Sequence, residues 1–245
     1  MGETEWVAAT GPETRVDGII ALADLMLGND VEAVLQEHQH AGGGRFRGVR
    51  FRRNLYGNPP EPPAGFFGER SFRMAAAVLE RKGLVLEIGT TFDLLPSLTA
   101  VARTVPGLPV AVDHLGWWAP TGDWEHRRNA ALEQWRKAMR QLAECENVFV
   151  KTSGIGRPGV IDPSRFSSPL ASVEIAGYCG AEVRFVIDTF GSKRCMFASN
   201  FPWDGHLCDY STLWNVYKRI VTDATSDEKA ELFHDTAVRF FGIGG

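Results

Sequence analysis

Short apolar runs alternate with longer amphipathic segments along the whole chain, and this alternation limits the possible folds more than any other feature. It is typical of strand–helix units that follow one another on a parallel sheet. Strands are predicted at Val16–Leu22, Phe46–Phe51, Leu84–Ile88, Val110–His114, Val148–Thr152 and Cys195–Ser199. Helices are predicted at Val31–Ala41, Arg70–Lys82, Leu94–Thr104, Asn129–Glu144 and Val173–Phe190, and in a last segment that begins with a capping box from Thr225 to Glu228.

The chain length and composition favour one α/β domain. Its 245 residues are close to the length of a (β/α)8 barrel, about 250, and no composition shift marks a boundary, so 1–245 is expected to be a single domain. The net charge of −4 disfavours nucleic acid. The 4 cysteines lie far apart without a Cys-x-x-Cys pair, which fits reduced thiols. No stretch approaches the roughly 18 apolar residues of a membrane-spanning helix, and the start of the chain has no signal-peptide pattern. We therefore expect a cytoplasmic protein that binds a small molecule, and neither nucleic acid nor a membrane.

The two faces of each predicted strand identify candidate site residues. In a barrel, outward side chains pack on helices, whereas inward polar side chains near the carboxyl ends of the strands form the site. Val49 and Phe51 alternate with Arg50, for example, which places Arg50 inside. The polar residues that this reasoning brings together are Arg50, Glu87, His114, Lys151 and Asn200.

These residue types suit chemistry on a carbonyl substrate. Arginine and lysine bind a carboxylate, and histidine transfers protons near neutral pH. The alternative for Arg50 is a structural salt bridge to Glu87, and for Lys151 a structural role as well. His114 follows an apolar strand and is the strongest functional candidate.

Other candidates are open to either reading. His206 follows the last strand, and Trp117 and Trp118 form either an aromatic pocket wall or a cover over the core. His38 and His40 are predicted to lie on a solvent-exposed final helical turn, not in a metal motif. The Pro- and Gly-rich segment Tyr56–Gly68 is a candidate lid.

Five motifs occur in an order and at a spacing that resemble a known family. They are Phe46–Arg50 (FRGVR), Val112–Gly116 (VDHLG), Trp135–Gly154, Arg194–Asp204 (RCMFASNFPWD) and Leu232–Phe241 (LFHDTAVRFF). Together they resemble the amidohydrolase 2 family, especially its branch of hydrolases and lactonases. The resemblance implies a TIM-barrel-like (β/α)8 barrel that hydrolyses lactones or amides or, in some relatives, decarboxylates small aromatic acids. The family's histidine after its sixth strand corresponds to His114.

The sequence departs from this family at two points. Where much of the family has a metal-binding or basic aspartate after the last strand, this chain has Asn200, which cannot accept a proton in that role. The family's first strand carries a His-x-His pair, and on this alignment the barrel's first two strands are missing. His114 alone falls short of three or four protein ligands. We therefore expect no cofactor and no tightly bound catalytic metal, with at most weak divalent metal binding at His114.

A sheet of about six strands would have two unpaired edges, at Val16–Leu22 and Cys195–Ser199. Three arrangements would account for them: a homodimer that joins edges, an N-terminal segment folded over the gap, or a shortened chain that is partly stable. Dimerisation is the preferred prediction.

Three functions follow, of which a hydrolase is favoured. In it Arg50 binds a substrate carboxylate, His114 or Lys151 polarises a lactone, ester or amide carbonyl, and Glu87 or Asp204 activates water. Asp204 is included because Asn200 cannot be the base. A lyase, decarboxylase or isomerase is the second possibility, since an amide at position 200 suits enolate stabilisation. A non-catalytic fragment or binding protein is the third.

Overall fold

The computed structural model describes residues 1–10, 14–51, 65–117, 126–156, 160–161, 164 and 166–244. Its parallel strands form one open sheet in chain order: β1 Ile19–Leu22, β2 Phe46–Phe51, β3 Val85–Ile88, β4 Val110–Val112, β5 Val148–Thr152 and β6 Cys195–Phe197. The helices are α1 Gly2–Ala9, α2 Val31–Ala41, α3 Arg70–Arg81, α4 Leu95–Thr104, α5 Arg128–Ala143, α6 Ser172–Phe190, α7 Tyr210–Ile220, α8 Ser226–Ala230 and α9 Thr236–Phe241, with a π-helical turn at Glu231–Asp235.

The predicted barrel-like α/β fold with a six-stranded parallel sheet is confirmed. Four predicted strands were too long, since β1 begins at Ile19, β3 begins at Val85, β4 ends at Val112 and β6 ends at Phe197. The capping box of Thr225 and Glu228 is present. Helices α1 and α7 were not predicted.

The outward face of the sheet packs against the helices. Val49, Leu86, Val112 and Val150 are fully buried in one continuous core with the helical side chains. Trp135 of α5 is buried in the same core, and its indole Nε1 donates a hydrogen bond to the Leu115 carbonyl at 2.7 Å. This bond joins the helical layer to the turn that follows β4.

The inward face of the sheet is covered by the end of the chain. Val85, Ala111 and Met196, from three different strands, form a second buried cluster with Phe240 of α9. The Phe240 ring lies 5.0 Å from the ring of Phe149, centroid to centroid. Gly48 allows β2 to lie close to β3, because a Cβ there would overlap the Val85 carbonyl oxygen. Helix α9 thus closes the inside of the sheet below the carboxyl ends of its strands.

The two edge strands, β1 and β6, each pair with one neighbour within the part of the chain that the structure describes. Helix α1 packs beside β1 and also contacts α2. The inner face, by contrast, is covered by α9, and this position of the last helical segment was not predicted from the sequence. The homodimer stays a prediction.

The prediction for His38 was wrong, because its side chain is buried and not solvent-exposed. The ring Nε2 lies 3.2 Å from the Leu22 carbonyl, and Nδ1 lies 2.9 Å from the Thr4 hydroxyl. It also stacks on Phe46 at 5.6 Å. Burial lowers the pKa of His38 and outweighs the hydrogen bond to Leu22, which acts in the opposite direction. A neutral His38 thereby joins α1, β1 and α2.

No helix among the residues placed by the structure is long and apolar enough to span a bilayer.

Replacing Phe240 by Ala should lower the free energy of unfolding by about 3–5 kcal/mol, because the substitution leaves a cavity on the inner face of the sheet. Urea denaturation measures this change. Trp6→Ala is the matched control, since the Trp6 side chain is 71% exposed, and its effect should stay within about 0.5 kcal/mol. Equal effects of the two substitutions would contradict the packing described here.

The lowered pKa of His38 predicts that stability falls in mild acid. The unfolded chain takes up this proton near pH ~6.5, whereas the folded chain does so only at a lower pH, so the free energy of unfolding decreases as pH drops below about 6.5. His38→Gln should weaken this dependence, and His40→Gln, at an exposed position, should not. Urea unfolding across that pH range measures it, and identical curves for the two variants would refute the prediction.

Candidate functional site

Four charged side chains meet at the carboxyl ends of four neighbouring strands, β2 to β5. Arg50 donates from Nε and Nη2 to Glu87 Oε2 at 2.9 and 2.6 Å, and its Nε lies 3.0 Å from Asp113 Oδ2. Lys151 Nζ lies 2.8 Å from Glu87 Oε1 and 3.5 Å from Asp113 Oδ1. Each carboxylate therefore contacts both cations. We call these four residues the charge cluster.

Burial within the charge cluster is uneven. The carboxylate side chains are almost fully enclosed, with exposed fractions of 2% for Glu87 and 1% for Asp113. The cations are more accessible, at 38% for Arg50 and 14% for Lys151. Solvent thus meets hydrogen-bond donors, while the compensating negative charges lie beneath them.

The charge cluster keeps Arg50 charged. Burial acts to lower the pKa of its guanidinium, but the Asp113 and Glu87 carboxylates outweigh that effect and raise the pKa above its ordinary value. The salt bridge between Arg50 and Glu87, one of the two alternatives offered by the sequence, is thus present, while the role of Arg50 in substrate binding stays a prediction.

Asp113 was missed by the sequence analysis, and the strand pattern contained the signal. Ala111 faces the inner cluster while Val110 and Val112 face the helices, so Asp113 continues the inward row. The sequence analysis took the face of Val110, Val112 and His114 as the inward one and so placed the histidine there. Glu87 and Lys151 do lie on the inward face, as predicted.

His114 lies in a tight turn and not on a strand. Residues 114 to 117 all have positive φ, including +56° at His114 and +33° at Trp117, a conformation that costs energy for residues other than glycine. Gly154 approaches this turn so closely that a Cβ there would lie 2.8 Å from the His114 ring. His114 Nδ1 lies 2.9 Å from the buried hydroxyl of Ser153. The turn and the strand-end glycine together fix the imidazole, which remains partly accessible.

A second polar group follows β6. Asn200, which also has positive φ, +54°, donates from Nδ2 to Asp204 Oδ1 at 2.9 Å. The Asp204 side chain is fully buried. Asp204 also contributes to raising the pKa of Tyr217, for which burial is the main cause. Asp204 therefore lies toward the α7 side of the loop, among buried groups.

The remaining candidates are placed differently. His206 is exposed, and its ring nitrogens contact the carbonyls of Gly156, at 2.7 Å from Nε2, and Trp203. Trp117 ends the turn of His114 and is partly buried. Trp118 and most of the Tyr56–Gly68 segment fall outside the described residues, so their predicted roles remain predictions.

Residues 153 to 156 connect the turn of His114 with the second polar group, the one that follows β6. Ser153 and Gly154 contact His114, while Gly156 accepts from His206 and lies against Asp204, where a Cβ would be 3.3 Å from Oδ1. Of the predicted residues, the structure thus gathers Arg50, Glu87 and Lys151 in the charge cluster, and Asn200, Asp204 and His206 in the second group.

The described donors do not fit a metal centre. Among the residues that the structure describes, there is no group of three or more His, Cys, Asp or Glu side chains arranged to hold a metal ion. The two carboxylates of the charge cluster, Glu87 and Asp113, are already paired with Arg50 and Lys151. The absence of a tightly bound metal stays a prediction.

Comparisons with known proteins agree with this architecture. The amidohydrolase family model matches residues 1–243. The uncharacterized protein y4mH of Sinorhizobium fredii is 30% identical over 99% of this chain and 75% of its own length. An L-fucono-1,5-lactonase of Burkholderia multivorans is 25% identical over 94% of this chain and 73% of its own.

A zinc-bound amidohydrolase structure from Burkholderia multivorans superimposes with a TM-score of 0.77, at 22% identity, over 95% of this chain and 75% of that one. At that identity the likeness concerns the fold. Because the family model matches almost the whole chain, the protein belongs to the amidohydrolase family.

Proposed function

We propose that the protein hydrolyses a small cyclic ester, a lactone, at the charge cluster. The observation that carries this proposal is the pair of partly accessible cations, Arg50 and Lys151, held on two buried carboxylates beside His114 in the chain. Family membership supports hydrolysis, and the relative named L-fucono-1,5-lactonase supports a lactone over an amide.

Arg50 and Lys151 bind the carbonyl oxygen of the lactone in this account. When water adds to the carbonyl carbon, negative charge develops on that oxygen, and donors already in place stabilise it without reorganising. Glu87 and Asp113 hold the two cations at fixed positions. They are positioning residues.

His114 is the group that we assign to water activation. Glu87 has both oxygens occupied by Arg50 and Lys151, and Asp204 is fully enclosed, whereas His114 is partly accessible. In this account His114 carries its proton on Nδ1 and donates it to the Ser153 hydroxyl, 2.9 Å away, and Nε2 is the basic nitrogen. It takes a proton from water as the new C–O bond forms, and returns it to the ring oxygen as the ring C–O bond breaks. The product is one hydroxy acid.

The second polar group shapes the wall of the site. The Asn200–Asp204 bond and the contacts of His206 and Asp204 with Gly156 fix the loop after β6 against residues 153 to 156. This segment in turn positions His114. Asp204 thus acts through position and not as the base.

Replacing His114 by Gln should lower kcat for lactone hydrolysis by at least about 100-fold, the usual contribution of a general base. The rate is measured as acid release from a panel of γ- and δ-lactones, with the ring-opened product identified by mass spectrometry. His234→Gln is the matched control, because that side chain is exposed on the last helical segment, and it should leave the rate unchanged.

Two results would contradict this assignment. Full activity in His114→Gln together with loss of activity in Asp204→Asn would make Asp204 the base. Release of carbon dioxide, or of an eliminated group, in place of a hydroxy acid would instead indicate a lyase.

A further inference from the structure

We propose that Asp113 makes the charge cluster electrically neutral and thereby selects an uncharged lactone over a lactone that carries a carboxylate. This inference rests on the proposed lactone hydrolysis and adds the substrate class. It reverses the expectation that Arg50 binds a substrate carboxylate.

The charge count is the first step. Arg50 and Lys151 contribute two positive charges, and Glu87 and Asp113 contribute two negative ones, with each cation in contact with both anions at 2.6 to 3.5 Å. The cluster therefore presents donors to a ligand without net positive charge. A substrate carboxylate placed there would add one uncompensated negative charge beside two buried carboxylates, which is unfavourable.

The geometry of Arg50 is the second step. Its Nε and Nη2 both point at Glu87 Oε2, and Nε is shared with Asp113 Oδ2. The Nε–Nη2 edge, one of the two edges that an arginine offers for bidentate binding of a carboxylate, is thus occupied from within the protein. The other edge, Nη1–Nη2, still offers donors to a substrate oxygen, so the preference for an uncharged ring comes from the net charge of the cluster.

Asp113 contributes mainly charge on its Lys151 side. Its buried Oδ1 accepts no hydrogen bond from any residue that the structure describes, and it faces Lys151 Nζ at 3.5 Å. Glu87 alone already makes the short hydrogen bonds to both cations. Removing the charge of Asp113 while keeping the shape of its side chain should therefore change the net charge of the charge cluster more than its geometry.

The test compares binding of δ-valerolactam with that of the same ring carrying one carboxylate. Lactams keep the ring carbonyl and resist hydrolysis, so calorimetry gives dissociation constants independent of turnover. The wild-type protein should bind the uncharged ring more tightly. Asp113→Asn, which leaves one net positive charge, should shift the ratio toward the carboxylate by about tenfold or more, which corresponds to about 1.4 kcal/mol.

A charge-restoring variant separates charge from local damage. In Asp113→Asn combined with Lys151→Met the cluster is neutral again, and the preference should return to the uncharged ring although a cation has been lost. Glu87→Gln removes the same single charge and should shift the ratio in the same direction, which gives a second reading if the Asp113 variant does not fold.

Several outcomes would overturn the inference: tighter binding of the carboxylate by the wild-type protein, no binding of either ring, an unchanged ratio in the single variants, or no return in the double variant. A wild-type protein that hydrolyses uncharged lactones but binds the carboxylate-bearing lactam more tightly would overturn only the claim that a neutral charge cluster selects the uncharged ring. A protein that hydrolyses no lactone would overturn the proposed function. The binding of the two lactams would still show whether the charge cluster prefers an uncharged ligand.

Discussion

Two enclosed carboxylates at the ends of neighbouring strands, Glu87 and Asp113, require positive partners, because an uncompensated charge in such a place would destabilise the fold. Arg50 and Lys151 come from the strands on either side of them. These ion pairs can form only if β2 to β5 lie side by side, parallel and in register. The structure has this arrangement, with Arg50 directly opposite Glu87. The same contacts that stabilise the strand ends also present two cations to solvent, so stability and proposed activity share one set of interactions.

Below the charge cluster, the inner face of the sheet is filled by aromatic side chains of α9. Phe240 packs on Phe149, and Lys151 Nζ lies 5.9 Å from the centre of the Phe241 ring. A cation near an aromatic face is stabilised. The apolar side chains below Lys151 offer it no other hydrogen-bond acceptor, so its ammonium group pairs with the Glu87 and Asp113 carboxylates. The last helix therefore contributes to the fold and supports one member of the site.

Much of the architecture was accessible from the sequence because strand alternation and helix periodicity are local signals. They identified the order of the strands and the inward positions of Arg50, Glu87 and Lys151. Asp113 was missed because the face of Val110, Val112 and His114 was taken as the inward one, whereas Ala111 and Asp113 lie on that side and His114 follows in a turn with positive φ. His38 was misplaced for another reason: its burial depends on Thr4, 34 residues away, and on Leu22 of the edge strand, both long-range contacts. The inner position of α9 likewise depends on packing that its amphipathic pattern does not specify.

The central claim is that Arg50 and Lys151, held by Glu87 and Asp113, bind a substrate carbonyl beside His114. A crystal structure of the protein with a bound δ-lactam tests it most directly. We predict the lactam oxygen within hydrogen-bond distance, roughly 2.7–3.2 Å, of Arg50 or Lys151, with both cations still paired to the carboxylates. A lactam bound elsewhere, or a ligand that displaces Asp113 from Arg50, would contradict the account.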